Sequence, residues 1–580
     1  MVDQLNKYEK ILFASLSVFL VLFYSVSAVW IPAATQYHRG IYVFITYILV
    51  FLLYKSKHPA FRVLDYILMI LAGASVLYWI INYEALNYRA GAETQMDQYV
   101  AAVGVILGIE IARRAVGSVF VIIGVVMLAY GIYGEYAPDL IMHPGDTFLG
   151  VCTTIFFKED GVFGIMANVL ATYVLLFVLF GAFLEKSGAQ RFFIDFPLAA
   201  GGHRTGGPAK VAVIASALFG SISGSAIANT VSTGAFTIPL MKKAGFRPHI
   251  AGAIEPAASI GGMFMPPIMG AGGFIMAELT GFPYSYIMLV AIFPALMYFM
   301  SVFVMVHYEA KYHNIRGEKS ETPAMQILKK EWYYISPLLI ITVLMLFGFS
   351  AGFSAVIGII SCIAVSWVKK DTRIGPKEFV EAAKLGTESS LKIGATVGII
   401  GIIIAMLTFS GLILTFADIV IELADGSLVL TILFIALASL VLGMGVPVTA
   451  AYLITAVVAV PALTHLGVNP IAAHMIVYWL SQDSNISPPV CIAAFAGATI
   501  AKAPMWRTAF SAFKFAKFLY LGPFLFGFVP EFSLQGDFWD IVKVFGLIIV
   551  GNYIYAYILS FAWWKPLKEK IFSKPANEYS

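Results

Sequence analysis

Residues 220–273 read GSISGSAIANTVSTGAFTIPLMKKAGFRPHIAGAIEPAASIGGMFMPPIMGAGG, and no uninterrupted transmembrane helix carries such punctuation. An apolar segment rich in Gly, Ser and Thr turns back through Pro239 and Lys242-Lys243, in the manner of a hairpin. A second apolar segment is then broken by Glu255-Pro256, Gly261-Gly262 and Pro266-Pro267. In hydrocarbon every backbone N–H and C=O must be satisfied internally, so broken helix is tolerated only where protein covers it or where it lines a wet cavity. The stretch is therefore a candidate site.

The pattern recurs. Adding 222 to the residue numbers carries Pro239, Gly245, Pro248, Pro266 and Pro267 onto Pro461, Gly467, Pro470, Pro488 and Pro489, and Ser259 onto Ser481. Upstream, at an offset of 223, Ser187-Gly188, Phe193 and Asp195 meet Ser410-Gly411, Phe416 and Asp418, as a single-residue insertion would produce. Two kinked helix pairs made by duplication are the plainer reading. Each copy, however, holds two kinds of break, a hairpin and a discontinuous helix, and such paired interruptions point to the binding site of a secondary transporter.

Composition sets the class. The 580 residues are 60% hydrophobic and 12% charged, about half the charge of a soluble domain, so the chain is expected to be an all-α polytopic membrane protein. The formal net charge of +4 is spread over loops, with no basic stripe of the kind nucleic acid requires. Cys152, Cys362 and Cys491 are far apart in apolar surroundings without metal-ligand spacing, so they read as packed thiols. The first apolar run, residues 11–31, is longer than a signal-peptide core and has no evident cleavage site, and is expected to remain as a span.

Apolar runs near 11–31, 40–54, 62–82, 98–112 and 115–133 predict four or five spans, with Glu110 and Arg113-Arg114 ending two short helices rather than lying inside one long one. From about residue 140 the apolar blocks lengthen and Gly and Pro multiply, which predicts a boundary between residues 1–140 and 141–580. Further spans are expected near 161–184, 285–306, 333–349, 352–368, 393–417, 515–530 and 540–563, around repeat cores at about 185–280 and 408–502. Segment 376–392 reads equally as an amphipathic surface helix or a solvated linker.

Lys and Arg concentrate on cytoplasmic loops. Lys7, Lys10, Lys55, Lys57, Arg62 and Arg113-Arg114, the basic loops 307–331 and 369–392, and Lys565, Lys568, Lys570 and Lys574 in the tail predict both termini inside. His203, Arg204, Lys210, Lys242, Lys243 and Arg247 flank the first hairpin, whereas Glu422 and Asp425 precede the second and only His465 follows it. The two halves are therefore expected to be inverted, with two re-entrant helical hairpins and two discontinuous helices.

Small polar groups gather at the interruptions. Ser221, Ser223, Gly224 and Ser225, followed by Asn229, form one tip; Gly443, Gly445 and Thr449 form the other. Ends of half-helices supply carbonyls to a cation, and half-helix amino termini offer partial positive charge to an anion. The same serines would also serve as small residues for close helix packing. Glu255, Glu278 and Asp483 lie within apolar segments, where a carboxylate costs at least ~2.5 kcal/mol and usually faces a partner or cavity. Glu255 either lines such a cavity or caps the broken helix at Pro256. Asp483, Ser484 and Asn485 sit at the second break, in register with Gly261-Gly262-Met263 of the first. His249 and His474, near helix starts, read as packed or capping histidines. No GxxxxGK[ST], HExxH or nucleophile-elbow motif is present, so neither ATP-driven transport by this polypeptide alone nor a membrane enzyme is expected.

The run 220–281, with GMGVPVTAAY (443–452) and SQDSNISPP (481–489), resembles the membrane component of the tripartite ATP-independent periplasmic (TRAP) transporters. The amino-terminal part is similar to their small four-helix subunit, fused to the large twelve-helix subunit as in the TAXI type. The resemblance implies an elevator-type carrier of the bacterial inner membrane. Such a carrier takes up an organic acid, a dicarboxylate or related carboxylate, with sodium as coupling ion and no organic cofactor. It implies a separate periplasmic substrate-binding protein, since no such domain is read in this chain. It also places sodium and substrate at the hairpin tips and facing breaks. That carries over to Ser221, Ser223, Ser225, Asn229 and Gly261 on one side and Gly443, Gly445, Thr449, Asp483 and Asn485 on the other; Gly224, Glu255, Ser259 and Ser484 join the candidate set by their own place at the same tip and breaks. Ser223, Asn229, Gly443, Gly445 and Asn485 are the expected sodium ligands. A stand-alone sodium- or proton-coupled dicarboxylate carrier, with Asp483 or Glu255 as the titrating group, is the alternative, and a channel is a third class.

Overall fold

The computed structural model describes residues 2–56, 61–319 and 322–560. Lys57 and the tail lysines Lys565, Lys568, Lys570 and Lys574 lie outside them. Among the described residues the regular elements are helical, and ten helices are long and apolar enough to cross a membrane. The chain opens with the long helices Lys7–Val29, Thr35–Leu53 and Arg62–Tyr88, which are among the ten, and Gln95–Ala115, which is not. The last of them is capped by Thr94, whose hydroxyl accepts from the Asp97 backbone N–H, which satisfies one of the free amides at a helix start. It ends at Gly117, at φ +129°, and Ser118–Tyr133 follows as a separate helix. Glu110 is held there by Arg113 at 2.7 Å and Arg114 at 2.6 Å, and Arg114 also reaches Asp65 at 2.6 Å. These charges therefore sit at a helix end, paired with one another.

Segment 376–392 is a helix rather than a linker, and its apolar face meets protein. It forms the helix Pro376–Gly394, buries Ala382, Ala383, Gly386 and Leu391, and packs on Leu175–Lys186 through the Phe183–Phe379 ring pair and the Lys186–Glu381 ion pair. The expected span at 393–417 is likewise divided: Val397–Ser410 ends at Gly411, at φ +71°, and Leu412–Leu423 begins there.

The two copies fold as the same series of elements. In the first, a hairpin of Gly207–Ser223 and Ala226–Lys243 is followed by a buttress helix, Pro248–Gly261, and a return helix, Gly270–Thr280. In the second, the hairpin is Leu428–Leu442 and Val448–His465, the buttress Pro470–Leu480 and the return helix Ile492–Ala501. Both buttresses start with proline at the first helical position, where its missing N–H is not needed. In both, the chain between buttress and return helix leaves the helical path through a short 3₁₀ turn, then a cis Pro-Pro bond, at 266–267 and 488–489. Both end that passage on a non-glycine residue with positive φ, Met269 and Cys491, 222 positions apart.

The chain divides into two compact units. One contains residues 1–189, 271–287 and 333–481, and the other 190–270, 288–332 and 482–580. Each unit thus holds the hairpin and buttress of one copy with the return helix of the other. In the second unit the return helix Ile492–Ala501 packs on the first buttress and hairpin, with Gly252 and Gly497 back to back: a Cβ on Gly252 would stand 2.9 Å from the Gly497 carbonyl oxygen. In the first unit the return helix Gly270–Thr280 lays Gly272 against the Tyr478 ring and stacks Phe274 on Phe177, centroids 4.8 Å apart.

The glycine contact is testable. Gly252→Val should cost about 1–3 kcal/mol, the usual size of an overpacking penalty, visible as a lowered midpoint in thermal unfolding of the detergent-solubilised protein. Gly546→Ala, at a site where a Cβ meets nothing within 4 Å, should leave the midpoint unchanged or raise it. Equal midpoints for the two variants would mean that the close approach is not what holds the return helix.

Candidate functional site

Both irregular passages lie in the second unit. The chain crosses between units at Gly270/Ala271, after the first break, and at Ser481/Gln482, before the second. That unit therefore collects residues 262–269 and 482–491 together with the first hairpin. The tip of the second hairpin, with Gly443, Gly445 and Thr449, belongs to the first unit.

At the first tip the serines are engaged locally. Ser221 Oγ donates to the Leu218 carbonyl at 2.8 Å, Ser223 Oγ donates to the Ser225 carbonyl at 3.4 Å, and Ser225 caps the helix Ala226–Lys243 by accepting from the Ala228 N–H at 3.2 Å. Gly224 turns the chain at φ +62°, a conformation that favours glycine. One turn into the following helix the pattern changes. Asn229 is fully buried; its Nδ2 donates to the Ser216 carbonyl at 3.2 Å, while its Oδ1 has no partner, and the buried Thr230 hydroxyl has none either. Gly220 allows this placement, since a Cβ there would stand 2.7 Å from Asn229 Nδ2 and 2.9 Å from the Gly262 Cα at the first break. Asn229 is thereby held where hairpin and break meet.

On the buttress, the Ser259 hydroxyl is buried without a partner. Gly261 is closed in by the rings of Tyr298 and Phe299, 2.6–2.7 Å from where its Cβ would be, so its role is close packing against the helix Tyr284–Tyr312. Glu255 neither caps the helix nor stands alone. Its carboxylate accepts from Ser216 at 2.5 Å and from the hydroxyls of Thr233 and Thr237, and so ties both arms of the hairpin to the buttress. Ser216, Thr233 and Thr237 escaped the sequence reading. Asn229, Thr233 and Thr237 recur every four residues, one polar stripe on an apolar helix, and that spacing was the available signal.

At the second break, Asp483 accepts from the Ser487 and Tyr520 hydroxyls. Tyr520 lies on the helix Phe518–Phe528, and nothing local marks it as a partner. Ser484 and Asn485 are buried beside Asp483; Asn485 Nδ2 and both polar atoms of the Gln482 amide are without partners. In the first unit, the second tip turns through Gly443 and Gly445, the latter at φ +75°, and Thr449 is buried with an unpartnered hydroxyl in the first turn of Val448–His465. His474 donates to or accepts from Tyr452 at 3.0 Å and is a packed residue. Cys152, Cys362 and Cys491 are buried free thiols, and Glu278, in the same unit as Asn168, accepts from its amide at 2.9 Å.

The residues thus fall into two polar groups in the second unit, one around Asn229 and Glu255 and one around Asp483, and a tip in the first unit. Several of these positions hold buried atoms with no hydrogen-bond partner, as do others elsewhere among the described residues, such as the Tyr47, Ser301, Thr387 and Ser439 hydroxyls. A buried polar group left without a partner costs about 1–3 kcal/mol, and here Asn229, Thr230, Ser259, Gln482, Asn485 and Thr449 all carry one or more.

The sequence matches the profile described as "Tripartite ATP-independent periplasmic transporter, DctM component" over residues 102–532. The C4-dicarboxylate TRAP transporter large permease protein DctM of Pseudomonas aeruginosa is 25% identical over 416 residues, 67% of this chain and 93% of its own. The 2,3-diketo-L-gulonate TRAP transporter large permease protein YiaN of Escherichia coli is 22% identical over 364 residues, 61% of this chain and 83% of its own. The sialic acid TRAP transporter large permease protein SiaM of Vibrio cholerae is 22% identical over 391 residues, 66% and 89% of the two chains.

The Glu255 group gives a prediction independent of transport. Glu255→Ala removes the acceptor that three hydroxyls share, although Thr233 and Thr237 also reach backbone carbonyls at 2.7 and 3.1 Å, and should destabilise by about 1–3 kcal/mol, whereas Glu255→Gln retains an acceptor and should lose less than half as much. Thermal unfolding in detergent compares them. Equal losses would mean that the hydroxyls find other acceptors and that the carboxylate does not join hairpin to buttress.

Proposed function

We propose that this chain, which belongs to the DctM-component family of tripartite ATP-independent periplasmic transporters, carries a small organic acid anion inward across the membrane on a sodium gradient. As a permease of that family it is a multi-pass protein of the inner membrane, a transporter and not an enzyme, and it works with a periplasmic substrate-binding protein. The observation that carries the finer reading is the unsatisfied polar set at the breaks.

The atoms differ in what they can bind. Asn229 Oδ1 and the Ser259 hydroxyl are oxygens, the ligands a hard cation takes, and they support a sodium role for the hairpin and first break. Asn485 Nδ2 is a donor, suited to a carboxylate oxygen, although an amide can present either atom by a half turn. Carbonyls at Gly443 and Gly445 and the Thr449 hydroxyl are further oxygens for the same chemistry at the second tip. Ser223 keeps a place among the candidates through its weak 3.4 Å contact, which is easily exchanged. Glu255 and Asp483, with hydroxyl donors already around them, serve as supports for these groups. The substrate class rests on the relatives: a C4-dicarboxylate, 2,3-diketo-L-gulonate and sialic acid, the substrates in their names, share a carboxylate and little else. A dicarboxylate is one member of that class.

The same reading extends to architecture. The proposed architecture is a small-subunit-like scaffold, residues 1–140, fused to a large-subunit-like 141–580 in the TAXI manner. The family match begins at residue 102, inside the first of these, so it leaves the first three long helices to a preceding segment while the boundary at 140 rests on the change in sequence character. Basic residues around the first hairpin and acidic ones before the second support an inverted pair with both termini cytoplasmic. Transport then proceeds by an elevator movement of a body built from the two repeat cores.

Two outcomes follow in liposomes containing the purified chain. With its cognate periplasmic protein and an inward sodium gradient, uptake should be saturable. Without that protein it should be negligible at micromolar substrate, and full uptake there would make this a stand-alone carrier. Asn229→Ala should raise the sodium concentration for half-maximal uptake about tenfold, equivalent to about 1.4 kcal/mol, with little change in apparent substrate affinity, and Asn485→Ala should do the reverse. Potassium in place of sodium should abolish uptake. Uptake persisting in potassium under a pH gradient and lost in Asp483→Asn would transfer coupling to a proton.

A further inference from the structure

A cavity of about 400 Å³ lies within the first unit, away from both breaks, where the helices Ser118–Tyr133 and Val397–Ser410 meet the arm Leu412–Leu423 and the second hairpin. Met127, Leu407, Phe416, Ala438 and Val458 represent its wall from each of these five elements in turn. The wall is otherwise apolar, with one hydroxyl, that of Thr455, whose side chain is only 3% exposed and has no hydrogen-bond partner. The mouth is apolar as well: Leu423 is 69% and Phe434 37% exposed. In a membrane-spanning unit such exposed side chains face lipid tails.

Water does not suit this space, because an ordered water needs two to four polar partners and the wall supplies one. Empty, the cavity would forfeit dispersion contacts over its whole lining. An apolar cavity of ~150 Å³ holds a benzene ring, so this one accommodates an alkyl chain of on the order of a dozen carbons. Hydrocarbon of that length is what the bilayer presents at the mouth. We propose that the cavity is a binding site for one acyl chain of a membrane phospholipid, inserted between Ser118–Tyr133 and the second hairpin, with the Thr455 hydroxyl donating to the ester carbonyl at the chain's head. The chain would pack the second hairpin against its neighbours without covalent or polar fixation. Gly445 at that hairpin's tip rests on the same helix, its Cβ position 3.5 Å from Val119, so cavity and tip are two contacts of one interface inside the unit.

The test uses the full-length chain in nanodiscs of phosphatidylethanolamine containing a trace of the same lipid with a diazirine in one acyl chain. After photolysis, peptides are mapped by mass spectrometry, and the lipid-exposed helix Phe538–Leu559 of the other unit supplies the background for ordinary boundary lipid. Labelling per residue in 412–423 and 434–459 should exceed that background at least fivefold. Ala438→Trp, which fills the cavity, should bring it to background while leaving Phe538–Leu559 unchanged; Thr455→Val, which keeps the shape and removes the hydroxyl, should lower it at least twofold. If Ala438→Trp fails to fold, Thr455→Leu fills the same space and is read in the same way. Labelling of the cavity segments at background in the unaltered protein would overturn the site, as would labelling that the filling substitution leaves intact. A Thr455→Val variant labelled like the parent would overturn the carbonyl contact and with it the phospholipid assignment.

Discussion

A peptide group inside a bilayer has no water to turn to, and this constraint governs where the chain is allowed to be irregular. Residues 262–269 and 482–491 leave the helical path inside a membrane protein, so their backbone must be roofed by other protein at short range. Glycine makes that range possible. A Cβ on Gly262 would stand 2.5 Å from the Cα of Gly220, and one on Gly252 would stand 2.9 Å from Ala501 Cβ, so hairpin, buttress and return helix approach to backbone contact. Without those contacts the breaks would have to be paved with side chains.

The exchange of return helices between units follows from the same requirement. A hairpin and buttress built from one copy leave one face open, and the return helix that closes it comes from the other copy. The crossings fall at Gly270/Ala271 and Ser481/Gln482, at the ends of the irregular passages. Another crossing, at 287/288, lies within the continuous helix Tyr284–Tyr312, so a break is one of the places where the chain changes units and a helix is another. The tie between Glu255 and the hairpin hydroxyls adds a polar joint at the place where the hairpin would otherwise be held by apolar contacts alone. In the interior such a joint is directional, and so it fixes the orientation of one helix face against another rather than merely its distance.

Much of this organisation is legible in the residues because proline and glycine act on the backbone locally. Pro239 and Pro461, Gly245 and Gly467, Pro248 and Pro470, and the two Pro-Pro pairs announce a repeated fold before any contact is known, and Met269 and Cys491 adopt the same positive φ although their side chains share nothing. Helix ends marked by charge, as at Arg113-Arg114, are legible for the same reason. The partners of the polar groups are not. Tyr520 lies 37 residues from Asp483 on another helix, and Ser216 reaches Glu255 across the width of the hairpin; no spacing rule connects them. The local bonds of the tip serines are not legible either, since Ser, Gly and Thr at a turn read as ligands whether or not their hydroxyls also serve, as here, in capping and back-bonding within the turn. Segment 376–392 was ambiguous because an amphipathic helix looks alike whether its apolar face meets lipid or, as here, Leu175–Lys186.

The contrast between satisfied and unsatisfied polar atoms is the sharper guide to what the breaks do. Glu255 and Asp483 are the most polar side chains in the region, and on composition alone they would be taken for the working groups, yet both are supplied with hydroxyl donors from their own unit. Asn229, Ser259 and Asn485 are weaker groups, equally buried, and each is left with an atom that bonds nothing. Thr230, next in sequence, points to another side of the same helix, as consecutive helical residues do, and its hydroxyl is idle as well. In an interior where each unpaired atom costs about 1–3 kcal/mol, this difference between satisfied carboxylates and unsatisfied amides is the observation on which the proposed binding role rests, with the carboxylates as frame.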